Sequence, residues 1–511
     1  MHRLRLFEAI LLSLHNSWPC LLAAIRLVPA VIESPLTLAG WGRIMSRRHI
    51  ASAVKTIRRR TRVFSRRGLT ILGLAAPLVF FLGPEACRDE SPATSAVTIT
   101  LLDPGWLDEE FMAWRRHEED QFRRESGIKV KDLPAPETAT GQLALWRKLL
   151  QNASDAPDVF AIDVIWPALM AEYSLNLSPY LADTAEDFPE LVANDTVNGQ
   201  LVALPYHADA GLLFYRTDLL RSYGYKKPPA TWDELETMAA RIQSGERSKG
   251  QKNFWGFVWE GAASEALTCN ALEWQASEGG GQIIESDKTI SVNNPRTIYA
   301  WKRAAGWVNS ISPPSVIAYR EWDALNLWRS GNAAFMRNWP TSYVTSEASP
   351  VRGAFAATLL PAGRAGRVAT LGGASLSVYR NTHHPKEAVA LVRFLCRRDV
   401  ELARARATSQ PPVMPRLYDA PDVLNTRPHF RELKRAFQQG IAERPSTITG
   451  AKYEQVSEAY FQAVHSVLVK QQTAADAAAN LETELVRITG FPVRNSPRVP
   501  DNREQGRNHG D

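Results

Sequence analysis

A histidine and an aspartate stand between two apolar runs in the middle of the chain. Residues 204–220 read LPYHADAGLLFYRTDLL, and His207 and Asp209 separate LVALPY from GLLFYR. A carboxylate accepts two hydrogen bonds and an imidazole donates or accepts one, so the pair could face a polar ligand. An ordinary turn between two strands is the alternative. These residues alone leave both interpretations open.

Further polar and aromatic residues occur where predicted strands end. A site for a polyhydroxylated ligand needs carboxylates that accept hydroxyl hydrogen bonds, flat aromatic faces, and glycines that allow close approach of the backbone. Taken singly, a strand-end aspartate is more often a turn or helix cap, and a tryptophan is more often part of the core. The hypothesis of a sugar site therefore depends on the whole set, which comprises Asp163, Trp166, His207, Asp209, Trp259, Trp339, Gly372 and Gly373.

The sequence contains no recognisable catalytic motif. G-x-S-x-G, H-E-x-x-H and G-x-G-x-x-G are all absent, as is a P-loop. His383 and His384 precede Pro385 and indicate a solvated turn rather than a metal site. We therefore expect no catalytic residue, no cofactor and no metal. A glycosidase is the enzymatic alternative, and it would require two carboxylates roughly 5–9.5 Å apart.

The basic character of the chain is confined to its N-terminal part. Residues 1–86 carry 13 Lys and Arg against 3 Asp and Glu, whereas the remaining residues carry 47 against 51. The net charge of +6 is thus a property of the leader and gives no argument for nucleic-acid binding.

The N-terminal 86 residues are predicted to be an extension with a signal or anchor segment. RRRTRVFSRR (58–67) is a basic region, and LTILGLAAPLVFFL (69–82) has the length of a signal-peptide core. Ala86 before Cys87 suggests lipoprotein processing, with Cys87 acylated, and SRRGLT (65–70) resembles a twin-arginine signal. Met45 is an alternative start, and an uncleaved membrane anchor is the alternative to processing.

Two cysteines remain for the mature part of the chain. Cys20 lies in the leader and Cys87 at the predicted processing site, which leaves Cys269 and Cys396. In an exported protein these two could form a disulfide, and the sequence alone does not decide whether they do.

The order of predicted elements indicates an α/β fold. Strands at 97–102, 128–133 and 157–166 alternate with helices at 107–126 and 140–152, which is the βαβαβ order of a mainly parallel sheet. Ligands in such sheets bind at the carboxyl ends of the strands. Downstream we predict a helix from Thr231, a helix–turn–strand unit at 322–340, a strand pair broken at Gly372-Gly373, and helices after 385.

Residues 97–485 resemble the family 1 extracellular solute-binding proteins of ABC importers, most closely the trehalose/maltose-binding branch. The segments that carry the resemblance are DVFAIDVIWPALM (158–170), LPYHADAGLLFYRTDLLRSYGYKKPPATWDEL (204–235), GFVWEGAASEALTCNALEWQASEGGG (256–281), GNAAFMRNWP (331–340) and ATLGGASLSV (369–378). The resemblance implies a two-lobe, hinge-linked periplasmic binding protein fold of type II, with the ligand in the cleft between the lobes.

The resemblance also implies a set of ligand-binding residues. Asp163 and Asp209 would bind sugar hydroxyls, His207 would occupy a contact position, and Trp339 would stack on a pyranose ring. Gly372 and Gly373 would offer backbone groups to the ligand.

Two further positions follow from looser parts of the resemblance. Arg416 would match an arginine that some members direct at the ligand, and Glu109 or Glu110 would contribute from the first lobe. Many members follow the double glycine with a tryptophan, whereas this chain has Ala374. One aromatic platform is therefore expected to be missing.

The expected organisation follows the lobes. A linker at 87–96 precedes a first lobe mainly at 97–206, and a second lobe mainly at 207–370 begins where His207-Ala208-Asp209 crosses the hinge. Residues 371–490 would return through the hinge and add C-terminal helices, and 491–511 would be a disordered tail.

The implied function is the delivery of a sugar, such as the disaccharide trehalose or maltose, to an ABC permease in the membrane. We expect an exported, monomeric protein on the outer face of the cytoplasmic membrane, held there by its leader or a lipid. A sugar-binding protein that feeds a sensor instead of a permease is the alternative binding function.

Overall fold

Two β-sheets organise the chain, and each forms the centre of one lobe. The structure is a computed structural model, and it describes residues 97–103, 109–136, 139–152, 156–180 and 187–494. The predictions for the leader, for Cys87 and for residues 495–511 lie outside these ranges.

The first sheet has six strands in the order β12–β11–β3–β1–β2, with β6 paired to β11. Strands β1, β2 and β3 are parallel to one another, as the βαβαβ pattern predicted, whereas β6 and β3 are antiparallel to β11. The strands of this sheet are β1 (Thr98–Leu102), β2 (Lys129–Asp132), β3 (Val159–Asp163), β6 (Leu204–Ala210), β11 (Ala369–Val378) and β12 (Ile441–Ala442). A separate hairpin joins β4 (Thr196–Val197) to β5 (Gln200–Leu201).

Helices cover both faces of the first sheet because its central strands are apolar on both sides. Trp114 and Phe122 pack against one side, together with apolar residues of the helix Pro385–Leu395. Trp146 and Leu150 pack against the other side. The helices of this lobe are α1 (Glu109–Ser126), α2 (Ala139–Gln151), α3 (Pro167–Met170), α4 (Pro189–Asn194), α11 (Pro385–Leu395) and α12 (Arg398–Thr408), with a 3-10 turn at Ala171–Tyr173.

The second sheet has four strands in the order β10–β7–β9–β8. It is mixed, since β7 is antiparallel to both of its neighbours while β8 and β9 are parallel. Its strands are β7 (Leu212–Arg216), β8 (Trp255–Val258), β9 (Ala333–Asn338) and β10 (Phe355–Leu359).

Helices with clear sequence signals surround the second sheet. Thr231 Oγ1 accepts from the Glu234 amide, which confirms the predicted helix start at Thr231. The Glu234 carboxylate accepts from the Ala230 amide, one residue before the position that a capping box requires. These helices are α5 (Thr217–Ser222), α6 (Trp232–Ser248), α7 (Glu265–Ser277), α8 (Pro295–Trp307), α9 (Glu321–Arg329) and α10 (Ser342–Glu347), with a 3-10 turn at Pro314–Ala318.

The C-terminal part is helical, as predicted. The remaining helices are α13 (Pro421–Thr426), α14 (Phe430–Gln439), α15 (Ser446–Thr449), α16 (Tyr453–Leu468) and α17 (Ala474–Thr489), with 3-10 turns at Pro415–Asp419 and Gly450–Lys452. Apolar residues of α16 and α17 share one continuous core with the second sheet. These helices therefore stabilise the second lobe.

The place where the chain changes sheets differs from the prediction. His207, Ala208 and Asp209 were expected to form a polar break that crosses the hinge, but they lie inside β6, paired with β11. The change occurs at Gly211, the single residue between β6 and β7. The expectation was wrong because a polar face of a strand is not a loop when a partner strand satisfies its backbone.

The double glycine was also predicted to break a strand pair, and this was wrong. Residues 369–378 form the single strand β11, which keeps its pairing with β6 through Gly372 and Gly373. The segment between β10 and β11, residues 360–368, is a second connection between the sheets.

The two mature cysteines do not form the disulfide that was considered. Cys269 lies in α7 of the second lobe, while Cys396 follows α11 in the core of the first lobe, and both are buried free thiols. Burial raises the pKa of each thiol above its usual range, so neither is a reactive thiolate.

The described residues contain neither a membrane-spanning helix nor a metal-binding group. None of the described helices combines the length and apolar content needed to cross a bilayer. Nor do the described His, Cys, Asp and Glu side chains form a group of three that could hold a metal ion.

Candidate functional site

Strand pairing brings three polar side chains onto one face of the first sheet. Ala374 of β11 pairs with Asp163 of β3 on one side and with His207 of β6 on the other. Gly372, two residues earlier, pairs with Asp209. Paired positions, and positions two apart on a strand, place side chains on the same face. Asp163, His207 and Asp209 thus form one group, which we call the polar strand cluster.

Asp209 carries an acceptor that the described residues leave unused. Its side chain is only 3% exposed, and its Oδ2 lies 3.5 Å from Nδ1 of the buried His207. Its Oδ1 has no hydrogen-bond partner among the described residues. An unmet buried acceptor costs about 1–3 kcal/mol, so a donor from a bound solute would relieve a real penalty.

Asp163 is held by an arginine that the sequence analysis missed. Arg444 is buried and donates from Nη2 to Asp163 Oδ1 at 3.4 Å and to the Leu371 carbonyl at 3.0 Å. Its Nη1 donates to Glu265 Oε1 at 2.9 Å. Burial raises the pKa of Asp163, while the charge of Arg444 acts in the opposite direction.

Glu265 links this arginine to the C-terminal helices. Its two carboxylate oxygens accept from the Tyr453 hydroxyl at 2.5 Å and from the Ser457 hydroxyl at 2.6 Å. Arg444 therefore joins a first-lobe strand, β3, to a second-lobe helix, α7, and Glu265 extends this link to α16. The only signal in the sequence is an arginine directly before Pro445 and a helix start, which is too common to single it out.

Trp339 of the second lobe lies over the double glycine of the first. It follows β9, it is half-buried, and a Cβ atom on Gly372 would be only 2.8 Å from its Cζ3 and 3.2 Å from the Cβ of Asp209. Gly373 has a φ of +124°, and a Cβ there would strike the His207 carbonyl. Both glycines are thus required by close approach.

A fully buried ionic group lies behind Trp339. The guanidinium carbon of Arg337 is 4.2 Å from the centroid of the Trp339 ring. Arg337 pairs with Glu273 and Glu260, and all three side chains are at most 1% exposed. We call Arg337, Glu273, Glu260 and Trp339 the Arg337 cluster. The sequence analysis found only its tryptophan.

Glu321 is a further carboxylate that the sequence analysis missed. It is half-buried at the start of α9. Burial raises its pKa, the charge of Arg337 lowers it, and the charge of Asp163 raises it.

Four predicted residues lie elsewhere or outside the description. Trp166 and Trp259 are 3% and 0% exposed and belong to the cores, so their assignment to the ligand set was wrong. Arg416 is exposed in the turn Pro415–Asp419, and its role stays a prediction, as does that of Glu110, whose side chain lies outside the described residues.

The two lobes and the face between them define the architecture of a two-lobe α/β binding protein. Residues 108–400 match the family described as bacterial extracellular solute-binding protein. A probable ABC transporter-binding protein of Deinococcus radiodurans is 43% identical over 376 residues, which are 73% of this chain and 89% of the relative.

Solved structures share the fold. The maltose-bound MalE3 of T. maritima is 33% identical and has a TM-score of 0.71, with 77% of this chain and all of that one covered. The GacH receptor of Streptomyces glaucescens, solved unliganded and with acarbose, is 24% identical with a TM-score of 0.67, and the match covers 78% of this chain and 99% of that one.

The chain belongs to the family of bacterial extracellular solute-binding proteins, as the resemblance predicted. It is a solute-binding protein and not an enzyme, since the family and the relatives are binding proteins. The two-lobe fold expected from the sequence is confirmed by the structural matches. The family is extracellular, so the chain acts outside the cytoplasm.

Proposed function

We propose that the chain is the sugar-binding component of an ABC importer. The observation that carries the proposal is that half-buried Trp339 and Asp209 both approach Gly372, while Asp209 Oδ1 has no hydrogen-bond partner among the described residues. A carboxylate that accepts hydroxyl hydrogen bonds next to an aromatic face is the combination that sugars require.

In this proposal each lobe makes a different contribution. Asp209 and Asp163 accept hydroxyl hydrogen bonds, His207 adds a polar contact, and Gly372 and Gly373 let the ligand approach the strand. Trp339 stacks on a pyranose ring from the second lobe. Rotation about Gly211 and the 360–368 connection closes the lobes on the sugar. Arg416 and Glu110 are proposed as further contacts.

The finer proposal is a disaccharide such as trehalose or maltose. The support is the maltose bound to MalE3 of T. maritima, at 33% identity over the whole of that chain. Ala374 lies between Asp163 and His207 on the strand face, so this part of the site offers polar groups in place of a second aromatic platform.

We propose that the closed, loaded form docks on a membrane permease as a monomer. Export through the leader and acylation of Cys87 would keep it at the outer face of the cytoplasmic membrane. The support is the match to the ABC transporter-binding protein of Deinococcus radiodurans, together with the leader pattern. Mass spectrometry of the mature N-terminus tests the anchor.

The experiment for the function is calorimetry of the purified protein with trehalose, maltose, sucrose and other glycosides. We expect one-to-one binding with a Kd in the micromolar range or tighter, about −8 kcal/mol. No binding to any carbohydrate, together with tight binding of a polyamine or a peptide, would overturn the proposal.

A further inference from the structure

Arg337 is among the most completely enclosed charges in the described part of the chain. Its Nε and Nη2 donate to the two oxygens of Glu273 at 3.0 and 2.5 Å, and its Nη1 donates to Glu260 Oε2 at 3.3 Å. Although burial lowers the pKa of Arg337, the charges of Glu273 and Glu260 raise it above its usual value. The guanidinium is therefore charged, and the bidentate contact fixes its plane.

The same ion pair lies against Gly211 and against the start of β11, the strand that follows the 360–368 connection. A Cβ on Gly211, the residue between β6 and β7, would lie 2.6 Å from Arg337 Nη2 and would also strike Glu273. The Thr370 amide, at the start of β11, donates to Glu273 Oε1 at 3.2 Å. The group is thus packed against the residue between β6 and β7 and against the first stretch of backbone after the 360–368 connection.

A further neighbour of the guanidinium is Trp339. The distance of 4.2 Å between the guanidinium carbon and the ring centroid is that of a close cation–π contact. Arg337 and Trp339 are two residues apart at the end of β9, so their side chains leave the strand on the same side. The guanidinium lies over the ring, and Gly372 approaches the ring at Cζ3 and Cη2.

We propose that Arg337 is a positioning residue, whose buried guanidinium sets the orientation of Trp339 for sugar stacking and ties that orientation to Gly211 and the start of β11. This inference rests on the proposed function, because it assigns Arg337 a role in the same site. Arg337 does not touch the sugar and acts through the tryptophan.

A purely structural arginine is the competing explanation, and the second lobe contains a matched example. Arg303 also pairs with two glutamates, Glu236 and Glu278, and also lies over an aromatic ring, that of Tyr299. Its carboxylate partners, Asp233, Glu236 and Glu278, are different from those of Arg337, and its described ring contact is with Tyr299 and not with Trp339. Arg303→Met is therefore the control for loss of a buried ion group.

The test is a double-mutant cycle on sugar affinity. We expect Arg337→Met to weaken sugar binding about tenfold in the presence of Trp339, and less than about twofold in a Trp339→Ala background. Arg303→Met is expected to leave the Kd unchanged. Equal losses from Arg337→Met in both backgrounds would show a general structural effect and overturn the proposal.

Arg337→Met leaves Glu273 buried without its partner and could fail to fold. In that case the double substitution Arg337→Met/Glu273→Gln takes the place of Arg337→Met in the cycle, because it removes both charges at similar side-chain volume. The loss of sugar affinity with and without Trp339 then distinguishes positioning of the ring from a general structural effect.

A fluorescence measurement separates this proposal from the proposed function. The fluorescence of Trp339 is obtained by subtracting the emission spectrum of the Trp339→Phe counterpart from that of each protein. Without the guanidinium we expect that fluorescence to shift to longer wavelength and to be quenched more strongly by acrylamide. If wild type binds no sugar, the proposed function fails, and an unchanged Trp339 signal would further show that Arg337 does not position the ring.

Discussion

The polar strand cluster and the Arg337 cluster use buried charge in opposite ways. In the first, the Oδ1 of Asp209 lacks a partner among the described residues and is free to accept a hydrogen bond. In the second, Arg337 pairs with two carboxylates and lies over an aromatic ring. The surface that this cluster presents to the first lobe is the half-buried indole of Trp339. One cluster offers hydrogen bonding, and the other offers a fixed apolar surface.

Because of this difference, neither cluster by itself would bind a sugar specifically. A carboxylate without a ring would bind many polar solutes, and a ring without a carboxylate would bind weakly in water. The contact of Trp339 with Gly372 brings the two kinds of surface together where the lobes meet. Specificity for a sugar requires both.

Loss of the carboxylate should have the largest effect. Asp209→Ala removes a buried acceptor that would make charge-assisted hydrogen bonds, so we expect sugar affinity to fall by more than about 100-fold. Calorimetry measures this. Asp218→Ala is the control, because Asp218 lies on α5 and pairs with Arg216. This variant should bind sugar as wild type does. Retained affinity in Asp209→Ala would remove the polar strand cluster from the site.

Loss of the ring should have the next largest effect. Trp339→Ala removes the stacking surface but leaves the hydrogen bonds, so we expect a loss of about 30-fold in affinity. Trp255 is a matched control, because it is also half-buried and also lies 4.2 Å from an arginine, Arg247. If Trp255→Ala and Trp339→Ala weaken binding equally, stacking at Trp339 is not the cause.

Disturbing the contact between the clusters should have a smaller effect. In Gly372→Ala the new methyl group would lie 2.8 Å from Trp339 Cζ3, so the ring must shift. We expect about tenfold weaker binding, measured by calorimetry, because part of the stacking is lost. Gly306→Ala, on α8 with nothing within 4 Å of the added Cβ, should not alter the Kd. An unaltered Kd in Gly372→Ala would contradict the close contact.

The last effect expected concerns the pH dependence of stability and leaves the sugar site itself unchanged. Burial raises the pKa of Glu260 from 4.5 to about 7, although Arg337 opposes this. The folded state then binds a proton more tightly than the unfolded state. The contribution to the free energy of unfolding is present below pH 4.5 and is lost as the pH rises through about 7, with a size on the order of 3 kcal/mol.

Glu260→Gln should flatten this part of the pH profile. Denaturant unfolding of wild type and variant between pH 5 and pH 8 measures the difference. Glu458→Gln, at an exposed position on α16, serves as the control. A wild-type stability that rises from pH 5 to pH 8 relative to Glu260→Gln would contradict the assigned direction.

Local patterns predicted the first lobe and most of the polar strand cluster. The apolar runs and helix spacing of 97–166 place β1, β2 and β3 correctly because each element is defined by its own residues. Asp163 was found because it ends β3. His207 and Asp209 were found, but as a loop, since the sequence does not show that β11 pairs with them more than 150 residues later.

Contacts over long sequence distance account for what was missed. Arg444 meets Asp163 across 281 residues, and Arg337 meets Glu273 and Glu260 across 64 and 77. Each is an ordinary arginine in its own segment, with no local pattern to mark it. The core positions of Trp166 and Trp259 could not be distinguished from platforms for the same reason, since burial is set by the tertiary fold.

A crystal structure of the protein with bound trehalose or maltose tests the central claim most directly. We predict that the lobes close with one pyranose ring on the indole of Trp339 and with Asp209 Oδ1 within hydrogen-bond distance of a sugar hydroxyl. A sugar bound elsewhere, with Asp209 Oδ1 and Trp339 both left without contact to it, would contradict the account.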